Sequence, residues 1–445
     1  MTARVRVVVL NYDGGEMTLG CLDALRRLDY PHDHLEVVLV DNGSVDGIVD
    51  RVREEYPEVV VREPLANLGF AGGCNLGIGD PAAGDYDYVA LVNNDALPEP
   101  GWLLPLVDAL DTDPGLGAAS SKILFADRYW GVRIDTVASH LRGVRLSGLE
   151  VDGQPAWSEA KFDEGFWGPD APRPGDPGSR WSKARAEVRV AAAPGAAVPA
   201  PKRIAVRLSA ESARTVTLST GGEARHVTVD TEPGWTELDL PPRPHDVVNN
   251  VGSNLYAGGF GGDRGYLERD EGQYDEPVDV FAWCGGSVLL RPAYLQQVGL
   301  FDERFFLYYA DTDLSWRGRL LGWRYRYVPA SVVRHEHAAT SGEGSDLFRY
   351  FVERNRLLML AKDAPARLAV RAALIEARST VHAVMAEFVR PVVRGQRPRP
   401  NVAPQKVRSM RSFAKHLPGM VADRRALERR RVVGDAEIVA WMVTK

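Results

Sequence analysis

Cysteine is scarce in this chain, long apolar runs are missing, and neither sign of charge dominates. The three cysteines, Cys21, Cys74 and Cys284, lie far apart with no C-x-x-C spacing. That excludes a zinc-ribbon or disulfide framework and suits a reducing, cytosolic compartment. No window approaches the roughly 18 consecutive apolar residues of a membrane span. Val5–Leu10 already reads as a strand, so no basic-then-apolar signal peptide is expected ahead of it. A formal net charge of −6 argues against bulk nucleic-acid binding, and no nucleic-acid partner is expected. What is present is ordinary for a soluble globular protein: 45% hydrophobic and 26% charged residues in 445, enough for two or three domains with full cores.

Periodicity supplies the organisation. Val5–Leu10, Leu35–Val40, Val59–Arg62 and Tyr88–Val92 read as buried strands, and Thr18–Leu28, Asp46–Tyr56 and a segment opening at Gly72–Gly79 as helices between them. This alternation predicts a right-handed parallel sheet of the nucleotide-binding type. From Gly131 to Asp246 the pattern changes to Pro/Gly-rich segments and short alternating runs, EVRVAAA, RIAVRLSA, RTVTLST, ARHVTVD and WTELDLP, expected to form an inserted antiparallel β-sandwich. Apolar α/β sequence resumes near Val247, and helical patterns dominate from Gly344. Lys and Arg crowd Arg390–Arg431 against Asp423 and Glu428. This basic tail reads equally as a surface attracted to an anionic membrane or as a helix packed on the body. The expected division is 1–130, 131–246, 247–342 and 343–445.

The residues that could carry chemistry sit where strands end. Asn93-Asn94-Asp95 follows an apolar strand, at the carboxyl edge where open α/β sheets hold ligands. Its hard oxygen donors suit Mg²⁺ or Mn²⁺ bridging the diphosphate of a nucleotide, and the competing reading is a plain Asn/Asp turn. Asp41, ending the second strand in VDNGSVDG, is placed to accept hydrogen bonds from a base or ribose, or else to close an Asx turn beside Gly43, with Asp46 capping the next helix. Asn67–Asn75, NLGFAGGCN, is a Gly-rich entry to a helix, a geometry that lets backbone N–H groups approach phosphate or sugar oxygens.

Taken in order, VVVLNYDGGEMTLGCLDALRRL, VVLVDNGSVDG, NLGFAGGCNLGI, LVNNDALPEPGWL, CGGSVLLRPAYLQQVGLFDERFFLYYADTDLSWRGRLLGWRYRYVP and VRHEHAAT resemble the inverting glycosyltransferases of family 2, in the rhamnosyl/galactofuranosyl-transferase-like branch. The resemblance covers Val5–Tyr129 and Val247–Leu360 and leaves the insertion outside. It implies a GT-A nucleotide-diphospho-sugar transferase core, α/β in class, with an inserted antiparallel β-sandwich and a helical C-terminal region. The implied donor side is Asn11, Asp41, Asn67, Gly72, Asn75, Asn93, Asn94 and Asp95, with Asp95 and His335 holding the metal and His337 a second candidate. Asp311 matches the family's catalytic base, although its neighbour Ala310 stands where relatives place Glu, a change expected to alter the pKa, position or acceptor contacts of Asp311. By residue type alone Asp311 also reads as a helix N-cap. Trp283, Gly286, Ser287 and Asp313 fall on the implied acceptor side, with Glu353, Arg354 and Asn355 bordering it. The implied partners are a nucleotide-diphosphate sugar, dTDP-rhamnose or a UDP-sugar, and a cell-envelope glycan or lipid-linked acceptor. The competing function is a catalytically weakened carbohydrate-binding or scaffold protein on the same fold.

Overall fold

In the computed structural model, residues 2–136, 142–170, 178–192, 200–336 and 345–444 are described. The chain separates into two compact units: Met1–Leu124 with Asn250–Tyr266 and Gly272–Lys445, and Phe125–Asn249 with Leu267–Glu271.

The first unit is built on one sheet whose strands run in the order Val278–Asp279, Arg324–His335, Leu116–Phe125, Ser287–Leu290, Tyr88–Asn93, Val5–Asn11, Leu35–Asp41, Val60–Arg62. Val5–Asn11 pairs in parallel with both Leu35–Asp41 and Tyr88–Asn93, and Leu35–Asp41 with Val60–Arg62, as the alternating pattern predicts. Their near-continuous Val/Leu content follows from burial on both faces. One face packs Val5, Val7, Val9, Val37 and Leu39 against Leu19, Leu22 and Leu25 of the helix Gly15–Arg26 and Leu103, Leu106 and Leu110 of Leu103–Thr112. Each such side chain contributes about 1.5–3 kcal/mol by leaving water. On the other face the helix Gly69–Ile78 approaches so closely that a Cβ on Gly77 would lie 2.2 Å from Val8 Cγ1, and one on Gly73 2.3 Å from Leu10 Cδ1.

The parallel expectation ends at Tyr88–Asn93. Its other neighbour, Ser287–Leu290, runs antiparallel to it and to Leu116–Phe125. Alternation along one strand carries no information about the direction of its neighbour, so the mixed character was not readable. Arg324–His335 pairs antiparallel with the short strand Ala96–Pro98, setting His335 opposite Ala96.

The second unit comprises two antiparallel sheets. One runs Ala160–Phe162, Arg185–Ala191, Tyr129–Thr136, Arg214–Ser219, Ala224–Val229; the other runs Arg180–Trp181, Arg145–Val151, Arg203–Ser209, Gly234–Asp239, with Gln154–Pro155 beside Arg145–Val151. Every alternating run singled out in the sequence is one of these strands. The inward residues, among them Val132, Ile134, Val188, Ile204, Val206, Val216 and Leu218, form a single core shared by both sheets, the arrangement of a β-sandwich. A buried charge cluster lies beside it. Glu187 accepts from Arg189 Nη2 at 2.6 Å and from Arg269 Nε at 3.1 Å.

The C-terminal helices Asp346–Asp363, Ala366–Val384 and Ala403–Glu428 belong to the first unit. The last strand, Met442–Val443, adds in parallel to Ser253–Tyr256. The basic tail therefore packs as a helix: Phe413, Met420 and Leu427 of Ala403–Glu428 are buried, and Arg424 donates to the carbonyl of Ala364 at 2.7 Å. Among the described residues no helix is long and apolar enough to cross a membrane.

Candidate active site

Four strand ends and one helix start converge at one edge of the first unit's sheet. At the ends of Val5–Asn11 and Leu35–Asp41, Asn11 Nδ2 donates to Asp41 Oδ1 at 2.7 Å and to Ser44 Oγ at 2.9 Å. Asn11 Oδ1 accepts from Thr18 Oγ1 at 2.7 Å and from Asn94 Nδ2 at 3.0 Å. Asp41 Oδ2 accepts from the backbone N–H of Gly43 and Ser44 at 3.2 and 3.0 Å, closing the turn its sequence context allowed. Asn11, Asp41 and Asn94 are thus brought together in one knot, completed by Thr18 and Ser44, which residue type alone did not mark.

The metal-ligand candidates lie at two further strand ends, Asp95 just beyond Tyr88–Asn93 and His335 closing Arg324–His335. Asp95 and His335 are both buried, with His335 Nε2 2.9 Å from Asp95 Oδ1. Two donor atoms at this spacing match adjacent ligands of one octahedral divalent ion, about 3 Å apart for bonds of about 2.1 Å. Among the described residues no group of three or more His, Cys, Asp or Glu gathers as a metal site, so this pair would need ligands from a bound diphosphate. Asn93 Nδ2 lies 3.3 Å from the same Nε2. His335 is the last residue of its strand and not in a loop beyond it, while His337 lies outside the described residues.

Asn93 links this pair to Asp311. Its backbone N–H donates to the carbonyl of Gly286 at 3.2 Å, and the N–H of the adjacent Gly285 donates to Asp311 Oδ2 at 3.1 Å. Asp311 sits in the first turn of the helix Ala310–Leu320, whose N-cap is Tyr309, so Asp311 is not the cap. Its other oxygen accepts from Thr312 N at 2.7 Å and Thr312 Oγ1 at 3.3 Å. Burial raises the Asp311 carboxyl above its ordinary range, against the opposing pull of those N–H groups. Close approach explains Gly285: a Cβ there would stand 2.7 Å from Phe70 Cζ.

The loop before Asp311 is strained and held by one amide. Phe306, Tyr308 and Tyr309 have φ of 63°, 63° and 64°, a region costly for side chains of this size. Asn355 Nδ2, fully buried, faces the carbonyls of Leu307 at 2.6 Å and of Phe305 and Tyr308 at 2.9 Å. Arg354 Nη2 adds a bond to the Phe305 carbonyl at 3.0 Å. Gly69, itself at φ 67°, lets Phe306 approach: a Cβ there would be 2.5 Å from the Phe306 carbonyl oxygen.

Several expected site residues turn out to hold the scaffold. Trp283 is fully buried, edge-on to Phe301 with ring centroids 6.0 Å apart, so it offers no face to a sugar. Ser287 opens the sheet strand Ser287–Leu290, and its buried Oγ accepts from Trp102 Nε1 at 2.9 Å and shares a hydrogen bond with Ser121 Oγ at 2.7 Å. Asp313 points away from Asp311 into a buried ion cluster, accepting from Arg317 Nε at 2.8 Å and lying 3.0 Å from Lys362 Nζ. These three leave the acceptor side because each is tied to a core partner that residue type does not reveal. Asn75 likewise clamps the segment ahead of the strained loop, donating to the carbonyl of Phe301 at 2.9 Å and accepting from its N–H at 3.0 Å. Gly72 is buried against Leu68, whereas Asn67 is exposed, accepting from the N–H of Gly69 at 2.8 Å.

The sequence profile of glycosyl transferase family 2 matches residues 6–133. With the sheet order above, the first unit is an α/β core built on a mixed sheet. Two curated proteins, the N-acetylglucosaminyl-diphospho-decaprenol L-rhamnosyltransferases of two Mycobacterium tuberculosis strains, CDC 1551 / Oshkosh and ATCC 25618 / H37Rv, are each 46% identical over 61 residues, 14% of this chain. The chain spans about a fifth of the length of these relatives, 20%. Among solved structures, the mannosyltransferase PcManGT from Pyrobaculum calidifontis in complex with GDP-Man and Mn²⁺ aligns over 99% of this chain and 79% of its own, at 15% identity and a TM-score of 0.39. GalNAc-T7 with UDP, GalNAc and Mn²⁺ aligns over 95% and 57%, at 11% identity and a TM-score of 0.45.

Proposed function

We propose that the protein is an inverting, metal-dependent glycosyltransferase that acts in the cytoplasm, moving a sugar from a nucleotide diphosphate to a cell-envelope glycan or lipid-linked acceptor. The observation that carries this reading is the run of contacts from Asp95 through His335, Asn93, Gly286 and Gly285 to Asp311. It brings a carboxylate and an imidazole suited to a divalent cation onto the same sheet edge as the half-buried Asp311 carboxylate.

Inverting transfer forms a bond from the acceptor hydroxyl oxygen to the anomeric carbon as the bond from that carbon to the diphosphate breaks. The hydroxyl proton goes to a base on the attacking side. Asp311 is that base: its raised proton affinity narrows the gap to the proton it receives, and Gly285 and Thr312 fix its two oxygens. Asp95 and His335 would hold Mg²⁺ or Mn²⁺, which supplies positive charge to the departing diphosphate. Asp41, oriented by Asn11 and Ser44, is the nucleoside contact, and Asn67 lies on the donor loop.

The likeness to rhamnosyltransferases supports dTDP-rhamnose as donor before a UDP-sugar, and their diphospho-decaprenol acceptor supports a lipid-linked acceptor. Ala310 in place of the family's Glu favours a second reading, a weakened enzyme that binds glycan or serves as a scaffold. A thermal-shift panel of nucleotide sugars with and without Mn²⁺, followed by a transfer assay with the stabilising donor, separates the two. Stabilisation with turnover supports the enzyme. Metal-dependent stabilisation without turnover on any lipid-linked or glycan acceptor supports the scaffold.

A further inference from the structure

We propose that the outer face of the helical segment 366–393 is a docking surface for an anionic lipid bilayer. The helix Ala366–Val384 continues through a π-helical turn, Met385–Val389, into Arg390–Val393. Its inner face is small and polar, with Ala372, Thr380 and Ala383 buried. Its outer face is apolar and open: Val370, Leu374, Ile375, Val381, Val392 and Val393 are 59, 66, 55, 62, 60 and 80% exposed. A run of large aliphatic side chains along one helix, left in water, marks an interaction surface.

Charge identifies the occupant. Arg367, Arg371, Arg378 and Arg390 are exposed on the same segment, and the exposed Arg394 follows it. Its two acids are both occupied. Glu376 accepts from Lys406 Nζ at 2.6 Å, and Glu387 accepts from the backbone N–H groups of Asn401 and Val402 at 2.7 and 3.0 Å. The outer face thus offers aliphatic side chains and guanidinium groups with no carboxylate among them. A second copy of this face would meet like charge, which disfavours self-association. A single convex helix mixing arginine with Leu, Ile and Val fits a surface that is anionic at its phosphates and apolar beneath. The basic tail helix Ala403–Glu428, by contrast, spends its apolar residues on packing.

The test is co-sedimentation of the full chain with phosphatidylcholine vesicles, with and without phosphatidylglycerol, at low and high salt. The wild type binds the anionic vesicles and is released near 1 M salt, where the Debye length falls to about 3 Å. Neutralising Arg367, Arg371 and Arg378 to Gln lowers the partition about a hundredfold, at about 1 kcal/mol for each basic residue, and reversing them to Glu lowers it further. Leu374→Gln with Ile375→Gln also weakens it, whereas Arg411→Glu with Lys415→Glu on the tail helix changes it by less. Equal binding to neutral vesicles, no response to the variants on 366–393, or a wild-type dimer in vesicle-free solution that those variants dissociate would overturn the proposal. Should the charge-reversed protein fail to melt cooperatively, release of the wild type by salt decides in favour and retention decides against.

Discussion

Asp311 has its oxygens fixed by backbone N–H donors and its proton affinity raised by burial, two properties a mere helix cap does not need together. Replacing it by Asn keeps the shape and removes the base, so transfer should fall by about 10² to 10⁴ with donor binding nearly unchanged. The acid limb of the wild-type pH profile for kcat/KM should lie above the ordinary aspartate value of about 3.9, because the base must lose its proton before it can accept another. Activity within a few-fold of wild type in Asp311→Asn would remove it from the chemistry. Asn355 acts one step back. Its amide offers two hydrogens to three carbonyls of a loop with positive φ at three non-glycine residues. Asn355→Leu should cost about 1–3 kcal/mol for each carbonyl left buried and unpaired and lower kcat more than it raises KM; unchanged kcat in a destabilised variant would confine Asn355 to the fold. The motif order pointed to Asp95, His335 and Asp311 from sequence, whereas Phe301 beside Trp283, Trp102 and Ser121 beside Ser287, and Lys362 beside Asp313 lie tens to hundreds of residues from their partners and leave no local pattern.

At the scale of elements, alternation and apolar runs located the strands of both units because a half-buried or fully buried strand imposes that pattern on its own residues. Pairing direction and the boundary of the insertion were less legible. The second unit also takes in Leu267–Glu271, a segment that contributes Arg269 to Glu187. That cluster makes a prediction. Arg189 and Arg269 hold the Glu187 carboxyl down from 4.5 to about 2 despite its burial, while burial and Arg269 lower His245 to about 3 although it lies 3.5 Å from Glu187. A depressed carboxylate contributes stability that is fully present above its unfolded value and lost as pH falls through the folded one. The sandwich should therefore weaken as pH falls, through His245 from 6.5 to about 3 and through Glu187 from 4.5 to about 2, and Glu187→Gln should cost about 3 kcal/mol at neutral pH by leaving two guanidinium groups buried without their anion. Neutral-pH melting curves that coincide for the two proteins would contradict this.

For the whole molecule, the first unit collects at one sheet edge residues drawn from both sides of the inserted sandwich: Asn11, Asp41, Asn93 and Asp95 before it, Gly285, Asp311 and His335 after it. Their order along the chain was visible in the sequence, but the contacts that join them, from His335 to Asp95 and from Gly285 to Asp311, depend on a mixed sheet that periodicity alone does not specify. The most direct test of that assembly is titration calorimetry of dTDP and UDP with Mn²⁺ into wild-type protein and into Asp95→Ala. The account predicts metal-dependent binding of one diphosphate to the wild type and its loss by at least about a hundredfold in the variant. Equally tight, metal-stimulated binding by Asp95→Ala would contradict it and move the cation away from the Asp95–His335 pair.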